Sequence, residues 1–352
     1  MDKPIVEIDG RLIGDGRPAY IVAELSANHN RSFDQAVGLV KAAGECGVDA
    51  VKLQTYTPDT MTIDVDSELF RVGGDLPWAG RSLYDLYGEA YMPWEWQPKL
   101  KAVAEDLGLT LFSAAFDSTA VDFLEDMDVP AHKVASFELV DIPLIEKMAA
   151  TGKPLIISTG MATLQEIEEA VEAARGGGAG GIILLKCTSA YPAPPEDMNL
   201  AAIPHLAAAF GVPVGLSDHT LGTTVPVAAV SIGACVVEKH FTLSRETKGP
   251  DSAFSLEPHE LKAMVEAIRT AEKALGQESY EMKSDEIEIR KFRRSLFVVR
   301  DMKAGEVFTA ENIRSIRPAQ GLPPKHLAEV LGRKAAKDLK KGSPLSWDMV
   351  TS

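Results

Sequence analysis

Cysteine is scarce. Cys46, Cys187 and Cys235 are the three in 352 residues, too few and too scattered for a disulfide framework. The opening MDKPIVEIDG lacks the apolar core of a signal peptide, so a reducing cytoplasm is the expected compartment. No apolar run reaches the length of a membrane span. Positive charge is also in deficit: 36 Lys and Arg against 51 Asp and Glu give a formal net charge of -15, which argues against nucleic acid or an anionic membrane surface as partner. No biased tract interrupts a composition of 45% hydrophobic and 25% charged residues, so disordered and fibrous classes are excluded.

What is present is a long globular chain, with room for a barrel of roughly 250 residues and a small further module. Its charge is unevenly placed. From Arg290 onward there are 14 Lys/Arg and 6 Asp/Glu, net +8, leaving 22 against 45, net -23, for the rest. A basic tail and an acidic body attract each other.

Apolar runs recur, each closing on polar residues and followed by a helix-like segment: YIVAEL, AVKLQTY, LTLFSAAF, HKVASFE, PLIISTG, IILLKCTS, PVGLSDHT and VVEKHFT. The polar residues near their ends, Glu24, Lys52, Ser113, Ser136, Ser158, Cys187, Ser217 and Glu238, are spaced widely enough for seven parallel crossovers. Runs without strict alternation suit strands buried on both faces, helices such as those expected over 163–174 and 223–232 lie between them, and a further helix near 257–275 precedes the polar linker. A closed (β/α)8 barrel is therefore predicted, with an open doubly wound sheet as the alternative; polar residues gathered at the strand ends favour closure.

The widest gap holds an insertion over 57–92 with Trp78, Tyr84, Tyr87 and Tyr91, read either as a lid or as a surface excursion. GGGAGG at 176–181 lacks the Lys-Ser or Lys-Thr of a phosphate loop and reads as a helix end and turn. The expected division is a barrel over 1–276, a polar linker over 277–291 and a β module over 292–352. Within that module Asp301 and Asp338, Lys303 and Lys340, and Gly305 and Gly342 repeat at a constant spacing, which implies a duplicated β unit with a glycine at each turn.

His219 in GLSDHT and His240 in EKHFT follow adjacent strands and are the strongest metal signal; imidazoles with a few oxygen ligands suit a divalent first-row ion. The competing reading is a pair of hydrogen-bonded structural histidines. Period-two alternation aligns Ser217 with His219 and Glu238 with His240. Lys52, Lys133 and Lys186 sit near strand ends, either to hold phosphate or carboxylate, to form a Schiff base, or simply to pair with carboxylates; Lys239 is expected to face outward. Ser113, Ser136, Ser158, Thr159, Thr188, Ser189 and Ser217 form a hydroxyl cluster at the same ends, although each alone reads as a helix cap. Glu24 in ELSANHN and Glu138 in ASFELVD supply carboxylates for sugar hydroxyls or acid–base work. Cys187 is expected to be a buried inert thiol.

Together ELSANHN, VKLQTY, FDSTAVDFLE, HKVASFELVDIPLI, IISTGMAT, LLKCTSAYPAP, GLSDHT, EKHFT, GPDSAFSLEP and SIRPAQGL resemble the sialic acid synthase family over nearly the whole chain. GPDSAFSLEP and FELVDIPLI resemble its pseudaminic acid branch, with the N-acetylneuraminate and legionaminate branches as alternatives. The resemblance implies condensation of phosphoenolpyruvate with an N-acylated amino sugar, here a 2,4-diacetamido-2,4,6-trideoxy hexose, with release of phosphate. It implies His219 and His240 as ligands of a divalent ion, manganese foremost, with magnesium or cobalt as alternatives. It places Lys52, Lys133, Ser136, Ser158, Ser189 and Ser217 around phosphoenolpyruvate, and Gln54, Glu138, Tyr191 and Asp251 at the sugar. Glu24 and Glu238 would complete the catalytic mouth. The tail resembles an antifreeze-like SAF (β-clip) domain, which would lend Arg317 to a neighbouring subunit in a domain-exchanged homodimer.

Two departures stand out. Ser113-Ala114-Ala115 puts Ala114 where the family often has a hydroxyl, and Lys133 and Ser136 differ in strand parity, so both reach one pocket only if the strand bulges or ends early. A Schiff-base pyruvate aldolase, and a sugar- or ice-binding protein using the tail alone, are the readings from other classes.

Overall fold

A strand covered on both faces needs apolar residues in both parities, and those strands here close into a ring. The computed structural model describes residues 4–14, 16–73, 78–276 and 279–351. It divides into two compact units, Met1–Gly276 and Gln277–Ser352. In the first, a hairpin of β1 (Ile5–Ile8) and β2 (Arg11–Gly14) precedes eight parallel strands: β3 (Tyr20–Glu24), β4 (Ala50–Thr55), β5 (Thr110–Ala115), β6 (His132–Val134), β7 (Pro154–Ser158), β8 (Gly181–Cys187), β9 (Val214–Asp218) and β10 (Val236–His240). They run in order around the barrel and β10 pairs with β3, which rules out the open sheet.

The two parities have different jobs. Val22, Phe112, Ile156, Ile183 and Val236 pack inside the barrel, while Ile21, Val51, Leu111, Leu155, Ile157, Leu216 and Val237 face the helices. Inward rows continued to the C-terminal ends deliver Glu24, Lys52, Ser158, Ser217 and Glu238 to one mouth. The hairpin closes the other end, putting Val6, Ile8 and Ile13 into the inner cluster. Sequence reading missed it, although Asp9-Gly10 at φ 53° and 74° is the Asp-Gly signal of a tight hairpin turn.

The helices follow from their caps and stripes. Thr163 and Glu166 form a capping box that opens Leu164–Gly176, worth about 1 kcal/mol at such positions. Ile167, Ala170, Val171 and Ala174 are its buried stripe, at helical spacing. Its end lies in the glycine run, and the last glycine of that run begins β8, so GGGAGG is a helix close and turn. No helix among the described residues is long and apolar enough to cross a membrane. The insertion contains short helices at Pro58–Met61 and Leu83–Ala90.

In the second unit, part of the polar stretch expected as linker is helical, Ser284–Ile289. β11 (Ser295–Val298) pairs antiparallel with β12 (Ile313–Ile316) around Leu296, Val298, Met302, Phe308, Leu339 and Leu345. The duplication is visible as a reciprocal exchange: Lys303 pairs with Asp338 at 2.7 Å and Lys340 with Asp301 at 2.8 Å. Gly305 and Gly342 occupy equivalent turns at φ 82° and 92°, where a side chain is strained.

Candidate active site at the barrel mouth

Lys133 is 1% exposed, so its charge must be answered locally. Its Nζ donates to Ser158 Oγ at 2.6 Å and to the Val134 carbonyl at 2.7 Å. β6 ends at Val134, and the turn Ser136–Val140 begins at once. This early strand end resolves the parity conflict between Lys133 and Ser136. The Gly160 N–H donates to Ser136 Oγ at 3.1 Å, and a Cβ on Gly160 would collide with the hydroxyls of both Ser136 and Ser189. Ser189 Oγ is buried without a partner. Gly160 was not anticipated; the sequence signal was a glycine directly after the Ser158-Thr159 strand end. Burial pushes Lys133 down to about 8, with Glu238 acting the other way.

Beside it, Lys52 Nζ lies 2.8 Å from Glu24 Oε2 and 3.5 Å from Glu238 Oε1. Gln54 Nε2 donates to Glu24 Oε1 at 2.8 Å, and Ser217 Oγ donates to Glu238 Oε1 at 3.2 Å. Glu238 Oε2 is left buried and unpartnered. Burial pushes Glu24 up to about 7 although Lys52 pulls it back. For Glu238 burial is outweighed by Lys52 and Lys133, which hold it below the usual range.

The two histidines meet as predicted, ring centroids 5.3 Å apart. His219 Nδ1 lies 2.9 Å from the Thr188 carbonyl, an acceptor that fixes a proton on Nδ1; burial lowers this imidazole, but Cys187, that carbonyl and Glu238 outweigh it and hold it above its usual range. His240 Nδ1 is buried without a partner. Burial, with His219 close by, holds His240 well below the ordinary imidazole range, in its neutral ligating form. This donor set fits a divalent ion. The described residues also bring together Glu257, His259 and Glu260, but those carboxylates are already engaged by Arg245 and by the helix start they cap.

An aromatic wall adjoins the imidazoles. Tyr191 is 4.3 Å from His219 and 5.2 Å from Phe254, centroid to centroid, and Trp78 of the insertion is 6.1 Å from Tyr191. Trp78 Nε1 donates to the Pro250 carbonyl at 3.1 Å, next to Asp251, whose carboxylate takes the Ser26 hydroxyl. Glu138 Oε2 is buried and unpartnered, and burial pushes its carboxyl up to about 7.

Other placements differ from expectation. Ser113 lies on the outward parity and meets Thr55 Oγ1 at 2.6 Å, so it does not join the mouth. Ala114 takes the inward place between Gln54 and Lys133 in register. Thr159 and Thr188 spend their hydroxyls on the carbonyls of Leu185 and Asp197. Lys186 turns back to the Cys187 carbonyl at 2.7 Å and contributes no charge to the cradle. Cys187 is not isolated: its Sγ is 3.9 Å from His219 Nδ1, a neighbour across strands that linear sequence does not show. Lys239 faces outward, as expected, onto Asp218. Arg317 belongs to the second unit, directly before Pro318.

The mouth thus gathers two ammonium groups, one of them paired with Glu24 and Glu238, and the hydroxyls of Ser136, Ser158 and Ser189, beside an imidazole pair and an aromatic wall, a set that can answer the charge of an anion. The fold is a (β/α)8 barrel whose C-terminal mouth collects these charged and polar side chains. The chain belongs to the NeuB family, whose model matches residues 39–280, and residues 293–351 match the SAF domain. It is 46% identical over 333 residues to a pseudaminic acid synthase of Helicobacter pylori, covering 94% of this chain and 98% of that one. It is 45% identical over 329 residues to a pseudaminic acid synthase of Campylobacter jejuni, covering 94% and 96%. Among solved structures, the N-acetylneuraminic acid synthetase of Leptospira borgpetersenii in complex with citrate matches with a TM-score of 0.73 and 29% identity, over 82% of this chain and 96% of that chain.

Proposed function

We propose that this protein condenses phosphoenolpyruvate with a 2,4-diacetamido-2,4,6-trideoxy hexose of the altrose type, giving pseudaminic acid and phosphate. The observation that carries the reading is the group of Lys133, Ser158, Ser189 and Ser136, the last held by the Gly160 N–H, beside the His219–His240 pair in one barrel mouth. The likeness to two pseudaminic acid synthases supports the sugar class.

In this reading Lys52 and Lys133 neutralise phosphoenolpyruvate, and Ser136, Ser158, Ser189 and Ser217 orient it. Gln54, Glu138, Tyr191 and Asp251 hold the sugar with its aldehyde toward the imidazoles, and the partner subunit's Arg317 reaches it in a domain-exchanged homodimer, as the charge division suggests. A divalent ion held by His219 and His240, manganese first, supplies Lewis acidity toward the aldehyde oxygen when bound. The methylene carbon of phosphoenolpyruvate bonds to the aldehyde carbon, water adds at the former enol carbon, and phosphate leaves by cleavage of the carbon–oxygen bond. Glu24 has Gln54 Nε2 hydrogen-bonded to Oε1 and the Lys52 ammonium 2.8 Å from Oε2 as an ion pair, whereas Glu238 Oε2 is buried with no hydrogen-bond partner. Glu238 therefore orients the water and Glu24 holds Lys52 in place. Three free buried cysteines suit a cytoplasmic site of action.

The test supplies phosphoenolpyruvate, manganese and a panel of hexosamines, and measures liberated phosphate. Release is expected with the 2,4-diacetamido-2,4,6-trideoxy-altrose and to be much weaker with N-acetylmannosamine. Preference for the latter assigns the neuraminate branch instead. Borohydride trapping of a pyruvate adduct, with turnover surviving chelation, would establish a Schiff-base aldolase.

A further inference from the structure

Ser26, in the loop after β3, is absent from the sequence-derived site, and its backbone is under strain. Its φ is 46°, in the left-handed region that glycine enters freely and that strains a residue carrying a side chain. It is 3% exposed, so its hydroxyl must find partners inside the protein. Those partners are two residues assigned to the sugar. The hydroxyl donates to Asp251 Oδ2, and Gln54 Nε2 lies 3.4 Å from the same Oγ. The Ala27 N–H reaches Asp251 Oδ2 as well, at 3.3 Å. Behind them, Asn28 Nδ2 donates to Ser255 Oγ at 2.9 Å, and Ser255 Oγ donates to the Asp251 carbonyl at 2.6 Å. The first loop thus grips Asp251 by its carboxylate and its backbone together, and the strained residue is the link to Gln54.

We infer that Ser26 is a positioning residue: it fixes Asp251 and Gln54 against the amino sugar, and local backbone stability is given up for that alignment. The inference rests on the function proposed above, and Ser26→Gly isolates it, because glycine removes the hydroxyl and relieves the strain together. The variant is expected to melt above Ser26→Ala, which loses the same hydroxyl but keeps the strain, while its KM for the sugar rises about tenfold, the loss of one charge-assisted hydrogen bond. The KM for phosphoenolpyruvate is expected to stay within about twofold. Ser26→Ala should show the same KM split at its lower melting temperature. In an Asp251→Asn background, Ser26→Gly should add little further loss. An active wild type with an unchanged sugar KM in Ser26→Gly overturns the inference alone, and so does an equal rise in both KM values. A wild type that releases no phosphate with any sugar of the panel overturns the inference and the proposed function together.

Discussion

The same chemistry is buried twice in this barrel, with opposite bookkeeping. Lys239 and Asp218, both on the outward parity, form a sealed pair: Nζ to Oδ2 is 2.5 Å, and both side chains are 0% exposed. The pair is complete, since Lys239 also donates to the Thr220 carbonyl and Asp218 takes the Thr220 N–H at 3.0 Å and its hydroxyl at 3.1 Å. Lys52, Glu24 and Glu238 are nearly as buried, but their group is incomplete. Glu238 Oε2 and, nearby, Ser189 Oγ, Glu138 Oε2 and His240 Nδ1 have no partner. A buried ion pair whose polar atoms are all answered serves the fold; orphaned polar atoms gathered around the other pair are what make it the candidate site.

The contrast is sharpest on deletion. Lys52→Met should lower kcat/KM about 10^3–10^4-fold, because the developing and ground-state negative charge loses its cation, yet the protein should still fold. Glu24, already pushed up to about 7, relieves the unpaired charge by taking a proton. Steady-state phosphate release together with a melting curve checks both halves. A collapsed fold would erase the distinction drawn between the two groups.

Asp218→Asn is the mirror experiment. It leaves Lys239 enclosed with neutral acceptors only and no counter-charge, and should cost about 3–5 kcal/mol of stability. Replacing both members by apolar residues of similar size should recover most of that loss, as urea unfolding would show. If the single substitution were harmless to the fold and ruinous to turnover, Lys239 would belong with the mouth.

How far this was legible beforehand depends on periodicity. The eight strands were visible because a barrel strand needs apolar residues in both parities, and the inward rows of Glu24, Lys52, Ser158, Ser217, Glu238 and His240 follow from counting by two. Counting by two, applied inside β5, sets Ser113 apart from the mouth; it fails only where regular structure stops. Ser113 was grouped with the mouth although its parity turns it to Thr55, and the relation of Lys133 to Ser136 waited on where β6 ends. Contacts between strands are invisible in one dimension: Cys187 meets His219 only because β8 and β9 are neighbours. Ser26 and Gly160 were missed for another reason, since each acts through backbone geometry, one by a positive φ and the other by lacking a Cβ.

The smallest expected effect tests the open group by pH. Lys133 is held at about 8 by burial, so its ammonium is present at pH 7 and mostly lost by about pH 9. With Lys133 at phosphoenolpyruvate as proposed, the cation holds the anion below about 8 and the neutral amine does not above it. The expected result is a fall of about tenfold in kcat/KM for phosphoenolpyruvate across that interval, with its midpoint near 8. Stability should move the other way. A lysine whose folded value lies below its free value binds fewer protons folded than unfolded, so its contribution to stability rises as pH climbs from about 8 toward about 10. Lys133→Arg separates this residue from every other group titrating nearby, because a guanidinium stays charged throughout. The alkaline limb should vanish in that variant. A limb that persists unchanged would move the titration to another residue, and Lys133 would then count with Lys239 as a buried cation serving the fold.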